Sequence, residues 1–310
     1  MADNLPPSLI AMLGEAVVLL DWDVGPESTA LRRAVGIVTY GHPRVDGPLL
    51  DRMPQVRVIS NHGVGVDHID VAAAEARGIP VGNTPGCLDG ATADMTFALL
   101  LALARNVVVG DRYARSPAFT RYDPSYLIGL EVHGTTLGIV GLGRIGKQVA
   151  RRARGFDMRI LYHNRRRDEA AERELGVEFR SLRDLLSESD FVTLNCPLTA
   201  ETHQLIGADE LRRMKPTAVL VNLARGPVVD HDALYAALAQ RRIGGAAIDV
   251  TDPEPLPRDH PLLSLDNLVI TPHLGSASDR TRRRMQEMTA ENLLAGLQGC
   301  PLPYRVRPGA

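Results

Sequence analysis

The chain has 310 residues, too many for most single hydrophobic cores and enough for two domains. Its 35 basic and 37 acidic side chains leave a formal net charge of −2, so nothing global draws it to nucleic acid or to an anionic membrane. Apolar residues make up 45% and charged residues 23%, which excludes disordered and fibrous classes. Cys87, Cys196 and Cys300 lie far apart and lack metal-ligand spacing, which argues against a disulfide framework and for no metal centre. Residues 1–8 lack the basic start and apolar stretch of a signal peptide, and the longest apolar run, 97–104, is far short of a membrane span. The expectation is a soluble cytoplasmic protein.

Apolar runs at 16–20, 36–39, 56–60 and 79–81 alternate with helix-like stretches at 49–53 and 71–77. Strands alternating with helices imply a parallel sheet and a first α/β domain. A long helix is predicted over 91–112, apolar on nearly every face and so expected to be buried between domains. A loop-like stretch, 116–129, leads into a second series with strands at 137–140, 158–162, 177–179, 191–193, 218–221, 246–248 and 268–270. The last predicted helix, 281–297, is long enough to return to the first domain. The expected division is residues 1–105 with 282–310 for one domain and 106–281 for the other.

The second series opens on Gly141-Leu142-Gly143-Arg144-Ile145-Gly146, placed between the strand 137–140 and a predicted helix from Lys147 to Arg154. This strand–turn–helix–strand context gives a glycine motif its meaning. Gly141 permits the turn, Gly143 lets backbone approach a pyrophosphate, and Gly146 lets helix and strand pack closely. The helix start then directs unpaired N–H groups at phosphates. An NAD-binding unit carries an acid at the end of the next strand to accept the ribose hydroxyls. Here that place holds Asn164-Arg165-Arg166-Arg167. A carboxylate would repel a 2′-phosphate, whereas guanidinium groups bind one through paired hydrogen bonds, so the cofactor reads as NADPH, with NADH less favoured.

Three further motifs follow apolar runs, where ligands bind in open parallel sheets. They are Val221 to Asp230, containing Arg225; Ile248 to Leu256, containing Glu254; and Ile270 to Ala277, containing His273. A guanidinium, a carboxylate and an imidazole suffice to reduce a 2-keto acid. Arg225 can hold the substrate carboxylate and polarise the keto oxygen. His273 can give its proton to that oxygen, and Glu254 can orient the imidazole ring and support its positive charge.

With these segments the sequence resembles the D-isomer-specific 2-hydroxyacid dehydrogenases over nearly its whole length. Asn61-His62-Gly63-Val64-Gly65-Val66-Asp67-His68-Ile69-Asp70, Gly82-Asn83-Thr84-Pro85, the glycine loop and the three later motifs occur in that family's order. Pro253-Glu254-Pro255-Leu256-Pro257 and His273-Leu274-Gly275-Ser276-Ala277 are most similar to its glyoxylate/hydroxypyruvate reductases. The resemblance implies two Rossmann-like parallel-sheet α/β domains, one flavodoxin-like and one dinucleotide-binding, with the active site in the interdomain cleft. It implies a catalytic set of Arg225, Glu254 and His273, with Val64 and Gly65 offering backbone N–H groups to the substrate. Cofactor contacts are expected from Gly141, Gly143, Arg144, Ile145, Gly146, Asn164, Arg165, Arg166, Cys196, Pro197, Thr202, Leu223, Ala224, Arg225, Asp249, His273 and Gly275. Asp249 should face the nicotinamide amide, and Thr84 and Asp94 match positions near the cofactor. A homodimer through the cofactor domain is implied, with the long helix and linker at the interface. That linker carries Phe119, Tyr122 and Tyr126 where the reductases often have Trp; the chain's only Trp is Trp22. The implied reaction is NADPH-dependent reduction of glyoxylate or hydroxypyruvate to glycolate or D-glycerate. Its rivals are another D-2-hydroxyacid dehydrogenase, such as a 2-ketogluconate reductase, phosphite oxidation, and a dinucleotide-sensing corepressor-like scaffold.

Overall fold

The computed structural model describes residues 1–2, 4–25 and 28–307. The chain forms two compact units, Met1–Leu88 with Ser278–Ala310, and Asp89–Ala277.

The first unit is built on a parallel sheet of β1 (Ile37–Thr39), β2 (Ile59–Asn61) and β3 (Val81–Gly82), in that order. Every residue of these strands is buried, as expected of a parallel sheet covered on both faces. The C-terminal helix Asp279–Leu297 lies against all three strands. One expected strand is missing. Among the described residues, 16–20 form no ladder beyond the bridge between Ala2 and Asp21, in which Ala2 N donates to Leu20 O, and Val18 is 84% exposed. The run is apolar enough for a strand, but no ladder partner comes beside it.

The second unit carries seven parallel strands: β4 (Thr136–Val140), β5 (Arg159–His163), β6 (Glu178–Phe179), β7 (Phe191–Leu194), β8 (Val219–Asn222), β9 (Gly245–Ile248) and β10 (Leu268–Ile270). Their order is β10-β9-β8-β7-β4-β5-β6. The order therefore reverses between β4 and β7, the switch point at which open α/β sheets bind ligands. Alternate residues of β4 feed two cores. Leu137 and Ile139 pack with Val149, Ala150 and Ala153 of the helix Arg144–Ala153, while Val140 packs with Leu161, Leu185 and Val192.

The expected long helix differs in two ways. It breaks after Ala104: Asn106 sits in the left-handed region at φ 52°, and a second helix, Val107–Ala114, leaves at 58°. Asn tolerates that conformation better than most residues. The helix Asp89–Ala104 also packs on Arg144–Ala153 and on β8, β9 and β10. The chain consequently divides after Leu88 and after Ala277, rather than at the expected 105/106 and 281/282. No single described helix is long and apolar enough to cross a membrane.

Candidate active site

The glycine turn meets the steric demands of a nucleotide loop. Gly141 has φ 97°, and a Cβ there would lie 2.6 Å from the Cys196 nitrogen, so the turn rests on the end of β7. A Cβ on Gly146 would run into the Gly141 carbonyl oxygen, whereas one on Gly143 would meet only open space. The turn and the close packing thus fall to Gly141 and Gly146 as expected, and Gly143 leaves open space at the helix start. Gly143 caps the helix Arg144–Ala153 without a side-chain hydrogen bond, which leaves the first N–H groups for an anion. Arg144 Nε lies 3.6 Å from the Asp89 carboxylate. Burial pushes the Asp89 carboxyl up, and the Arg144 charge partly offsets this. Ile145 packs into the core beside the turn.

At the end of β5, Asn164 has a role not legible in the sequence. Its Oδ1 accepts from Leu142 N at 2.7 Å and ties the second strand to the glycine turn. Arg165 and Arg166 are exposed, and neither enters a salt bridge among the described residues. The acidic helix beyond them is neutralised by other cations. Arg167 makes two 2.7 Å bonds to Glu172, and Lys147 lies 2.8 Å from Asp168. The hydrogen bond from Lys147, with those from backbone N–H groups, holds the Asp168 carboxyl below its usual range. After β7, burial pushes the Cys196 thiol up to about 11. The loop that follows is closed by Thr202, whose Oγ1 donates to Pro197 O at 2.6 Å and accepts from Thr199 N at 2.8 Å.

Strands β8, β9 and β10 are neighbours, and the loops at their C-terminal ends carry Arg225, Glu254 and His273 respectively. Asn222 closes the first loop, accepting from Ala224 N and donating to Arg225 O, both at 3.0 Å. Gly226 has no room for a Cβ against the Thr251 carbonyl. Arg225 is half-buried, as is Leu223, while Ala224 is buried. Arg225 Nη1 donates to Ala224 O at 2.9 Å.

The third loop is organised by Asp249, only 2% exposed at the end of β9. Its carboxylate accepts from Thr271 Oγ1 at 2.6 Å and from Leu274 N and Gly275 N at 2.7 Å each. Three donors offset the cost of burying its charge. Its carbonyl accepts from His273 N at 2.9 Å, and His273 is thereby held at φ 57°, a left-handed conformation that costs energy in a non-glycine residue. The His273 ring meets Glu254, with Nδ1 2.7 Å from Oε1. Glu254 stands between two cis peptide bonds, Asp252–Pro253 and Glu254–Pro255.

In the first unit, the loop after β2 has its carbonyls fully engaged. Asn61 Nδ2 donates to Gly63 O at 3.0 Å and to Gly65 O at 2.9 Å, and Asn83 Nδ2 donates to Val64 O at 2.9 Å. Thr84 N also donates to Gly63 O at 3.0 Å. The N–H groups of Val64 and Gly65 have no acceptor among the described residues. Asp94, expected near the cofactor and the domain junction, bonds Arg152 at 2.7 Å and braces the helix Asp89–Ala104 against its neighbour. His42 sits edge-on to His68 at 5.0 Å in the first unit. The residues missed from sequence, Asn61, Asn83 and Asn222, all stand at strand ends just before tight turns. For Asn61 and Asn222 the signal was available, since Asn side chains there bond backbone a few residues on; Asn83 reaches back to Val64, which no local pattern shows.

Residues 97–275 match the family described as D-isomer specific 2-hydroxyacid dehydrogenase, NAD binding domain. The chain belongs to this family. It is accordingly an NAD(P)-dependent oxidoreductase with a nicotinamide dinucleotide cofactor, and the resemblance read from its motifs holds. The dehydrogenase is 54% identical over 256 residues to the glyoxylate reductase of Korarchaeum cryptofilum, covering 82% of this chain and 77% of that one. It is 47% identical over 305 residues to the glyoxylate reductase of Pyrococcus furiosus, covering 95% and 90%. Among solved structures it resembles the NADPH-dependent glyoxylate/hydroxypyruvate reductase of Sinorhizobium meliloti in complex with NADP and malonate, at 33% identity and a TM-score of 0.88, covering 98% of this chain and 95% of that one. The TT0316 protein of Thermus thermophilus is similar at 46% identity and a TM-score of 0.89, covering 99% and 100%.

Proposed function

We propose that this dehydrogenase reduces glyoxylate to glycolate, and hydroxypyruvate to D-glycerate, with NADPH. The observation that carries the reading is the 2.7 Å His273–Glu254 pair, carried by the two strands beyond that of Arg225 in a dinucleotide-binding sheet. The nicotinamide supplies hydride when it is bound. Arg225 holds the substrate carboxylate and polarises the keto oxygen through charge-assisted hydrogen bonds. Val64 and Gly65 offer their N–H groups to the same carboxylate. With Nδ1 turned to Glu254, His273 presents Nε2 to the keto oxygen and gives it a proton as the carbon is reduced. Glu254 keeps the ring in that orientation and stabilises the charge it carries before transfer.

The preference for NADPH is supported by Asn164 in place of an acid and by Arg165 and Arg166, which enter no salt bridge among the described residues. Asn164 adds no negative charge, and its oxygen is committed to the glycine turn. A homodimer is supported by an exposed strip on the second unit, in which Tyr122 is 82% and Ile128 is 77% exposed. Light scattering of unmodified protein and of Tyr122→Asp/Ile128→Asp checks this: a dimer that the double substitution dissociates is expected.

Initial rates with glyoxylate, hydroxypyruvate, pyruvate, 2-ketogluconate and phenylpyruvate test the substrate assignment. Two- and three-carbon keto acids should give the highest kcat/KM. A higher value for 2-ketogluconate or phenylpyruvate overturns it.

A further inference from the structure

A trans peptide unit is planar, and its C=O and N–H point in opposite directions. Whatever fixes the carbonyl therefore aims the N–H of the next residue. In the loop after β2 the Gly63 carbonyl belongs to the same peptide as Val64 N–H, and the Val64 carbonyl to the same peptide as Gly65 N–H. The first carbonyl is held by Asn61 Nδ2 and by Thr84 N, each at 3.0 Å, the second by Asn83 Nδ2 at 2.9 Å. Each of the two N–H groups is thus aimed by a different asparagine.

We propose that Asn61 and Asn83 are positioning residues that turn the loop's carbonyls inward and so convert the Val64–Gly65 segment into a carboxylate-selective anion site. The inference rests on the reading of Val64 and Gly65 as substrate-binding groups. Left to itself, a short loop presents carbonyl oxygens as readily as N–H groups, and an exposed carbonyl repels a carboxylate. Asn61 prevents this at two places, since its second Nδ2 proton goes to Gly65 O at 2.9 Å. The amide cannot flip, because Thr39 Oγ1 on the neighbouring strand donates to Asn61 Oδ1 at 2.8 Å. Asn61 is 1% exposed and Thr39 is fully buried, so water does not substitute for either bond. Asn83 is fixed through its backbone: its N–H donates to Tyr304 O and its carbonyl accepts from Asn292 Nδ2, both at 3.0 Å. Asn292 is itself fully buried and its Oδ1 accepts from Tyr304 N at 3.0 Å. Polar side chains of this kind are costly to bury and are tolerated when every member is satisfied.

An anion site fixed in advance binds substrate and transition state alike, so its loss raises KM and spares kcat. Asn61→Asp keeps the shape but sets a carboxylate against two carbonyls, and Asn83→Leu removes the second donor. Each should raise KM for glyoxylate, and the inhibition constant of oxalate, roughly 10- to 100-fold, the scale of one charge-assisted hydrogen bond. Within threefold, kcat and the Kd for NADPH should stay unchanged. Thr39→Val should give a smaller rise in KM, and Thr39→Ser should restore it. Val64→Pro, which deletes one donor outright, is the control for the underlying reading, and thermal melting of each variant establishes that it is folded. If Val64→Pro raises KM while folded Asn61→Asp, Asn83→Leu and Thr39→Val do not, the asparagines do not aim the donors and the inference fails alone. If none of the folded variants alters KM, the reading of Val64 and Gly65 as the carboxylate site fails with it. A fall in kcat with KM unchanged also overturns the proposal.

Discussion

At the residue scale, the proposed chemistry turns on His273. Its backbone is pinned in a left-handed conformation by Asp249, and its Nδ1 is taken by Glu254 at 2.7 Å. A positioned general acid contributes on the order of 10²–10⁴ in rate, so His273→Ala should lose that much in the chemical step with little change in NADPH affinity. Single-turnover measurement of cofactor oxidation reads the step directly; near-full turnover would assign the proton to another group. A different histidine contributes to the loss of stability in acid. His62 is 7% exposed, and its Nδ1 lies 3.2 Å from Thr289 Oγ1. That hydroxyl gives its own proton to the Met285 carbonyl at 2.7 Å, so it accepts from a neutral ring protonated on Nδ1. Burial, helped by the Arg282 charge, lowers the His62 pKa from 6.5 to about 4. Above pH 6.5 neither the folded nor the unfolded chain protonates this site, and its contribution is intact. As pH falls from 6.5 towards 4 the unfolded chain takes up a proton that the folded one refuses, and about 3 kcal/mol is lost. Denaturant titrations at pH 7 and pH 4.5 should show a smaller acid loss for His62→Gln than for the unmodified protein; equal losses would count against this.

At the scale of elements, the glycine loop makes two opposite predictions for one kind of substitution. Gly146→Ala forces a Cβ onto the Gly141 carbonyl, so it should destabilise the fold by about 1–3 kcal/mol. Gly143→Ala meets open space, so it should leave Tm unchanged yet weaken NADPH binding at least tenfold by obstructing its phosphates. Melting curves and cofactor titrations on both variants separate packing from approach; matching losses of Tm would contradict the assignment. This loop was legible in the sequence because its constraints are local: strand, turn and helix follow one another, and each glycine answers a backbone demand. The strands β4 to β10 were legible for a related reason, since buried parallel strands are continuous apolar runs. Other elements depended on partners far along the chain. Residues 16–20 have the composition of a strand, but among the described residues nothing pairs with them beyond Ala2. The helix expected over 91–112 is apolar on nearly every face on paper, and only packing on β8, β9 and β10 shows where it ends and to which unit it belongs. Arg225, Glu254 and His273, the proposed catalytic set, stand out by motif, whereas Asp249 as the organiser of the His273 loop does not. Its three donors, Thr271, Leu274 and Gly275, come together only once β9 and β10 are paired.

At the scale of the whole molecule, one unit carries a dinucleotide fold with Arg225, Glu254 and His273 at adjacent strand ends, and the other a loop in which the Val64 and Gly65 N–H groups have no acceptor among the described residues. The proposed choice of cofactor rests on a few charges at the end of β5. Substituting Asn164→Asp together with Arg165→Gln and Arg166→Gln should move the preference towards NADH, because a carboxylate accepts ribose hydroxyls and repels a 2′-phosphate. Each guanidinium–phosphate bond is worth roughly 10- to 150-fold in affinity. The most direct measurement is therefore kcat/KM for glyoxylate reduction with NADPH and with NADH, on the unmodified protein. NADPH favoured by tenfold or more is the predicted result; equal use of the two cofactors, or no glyoxylate turnover with either, would contradict it.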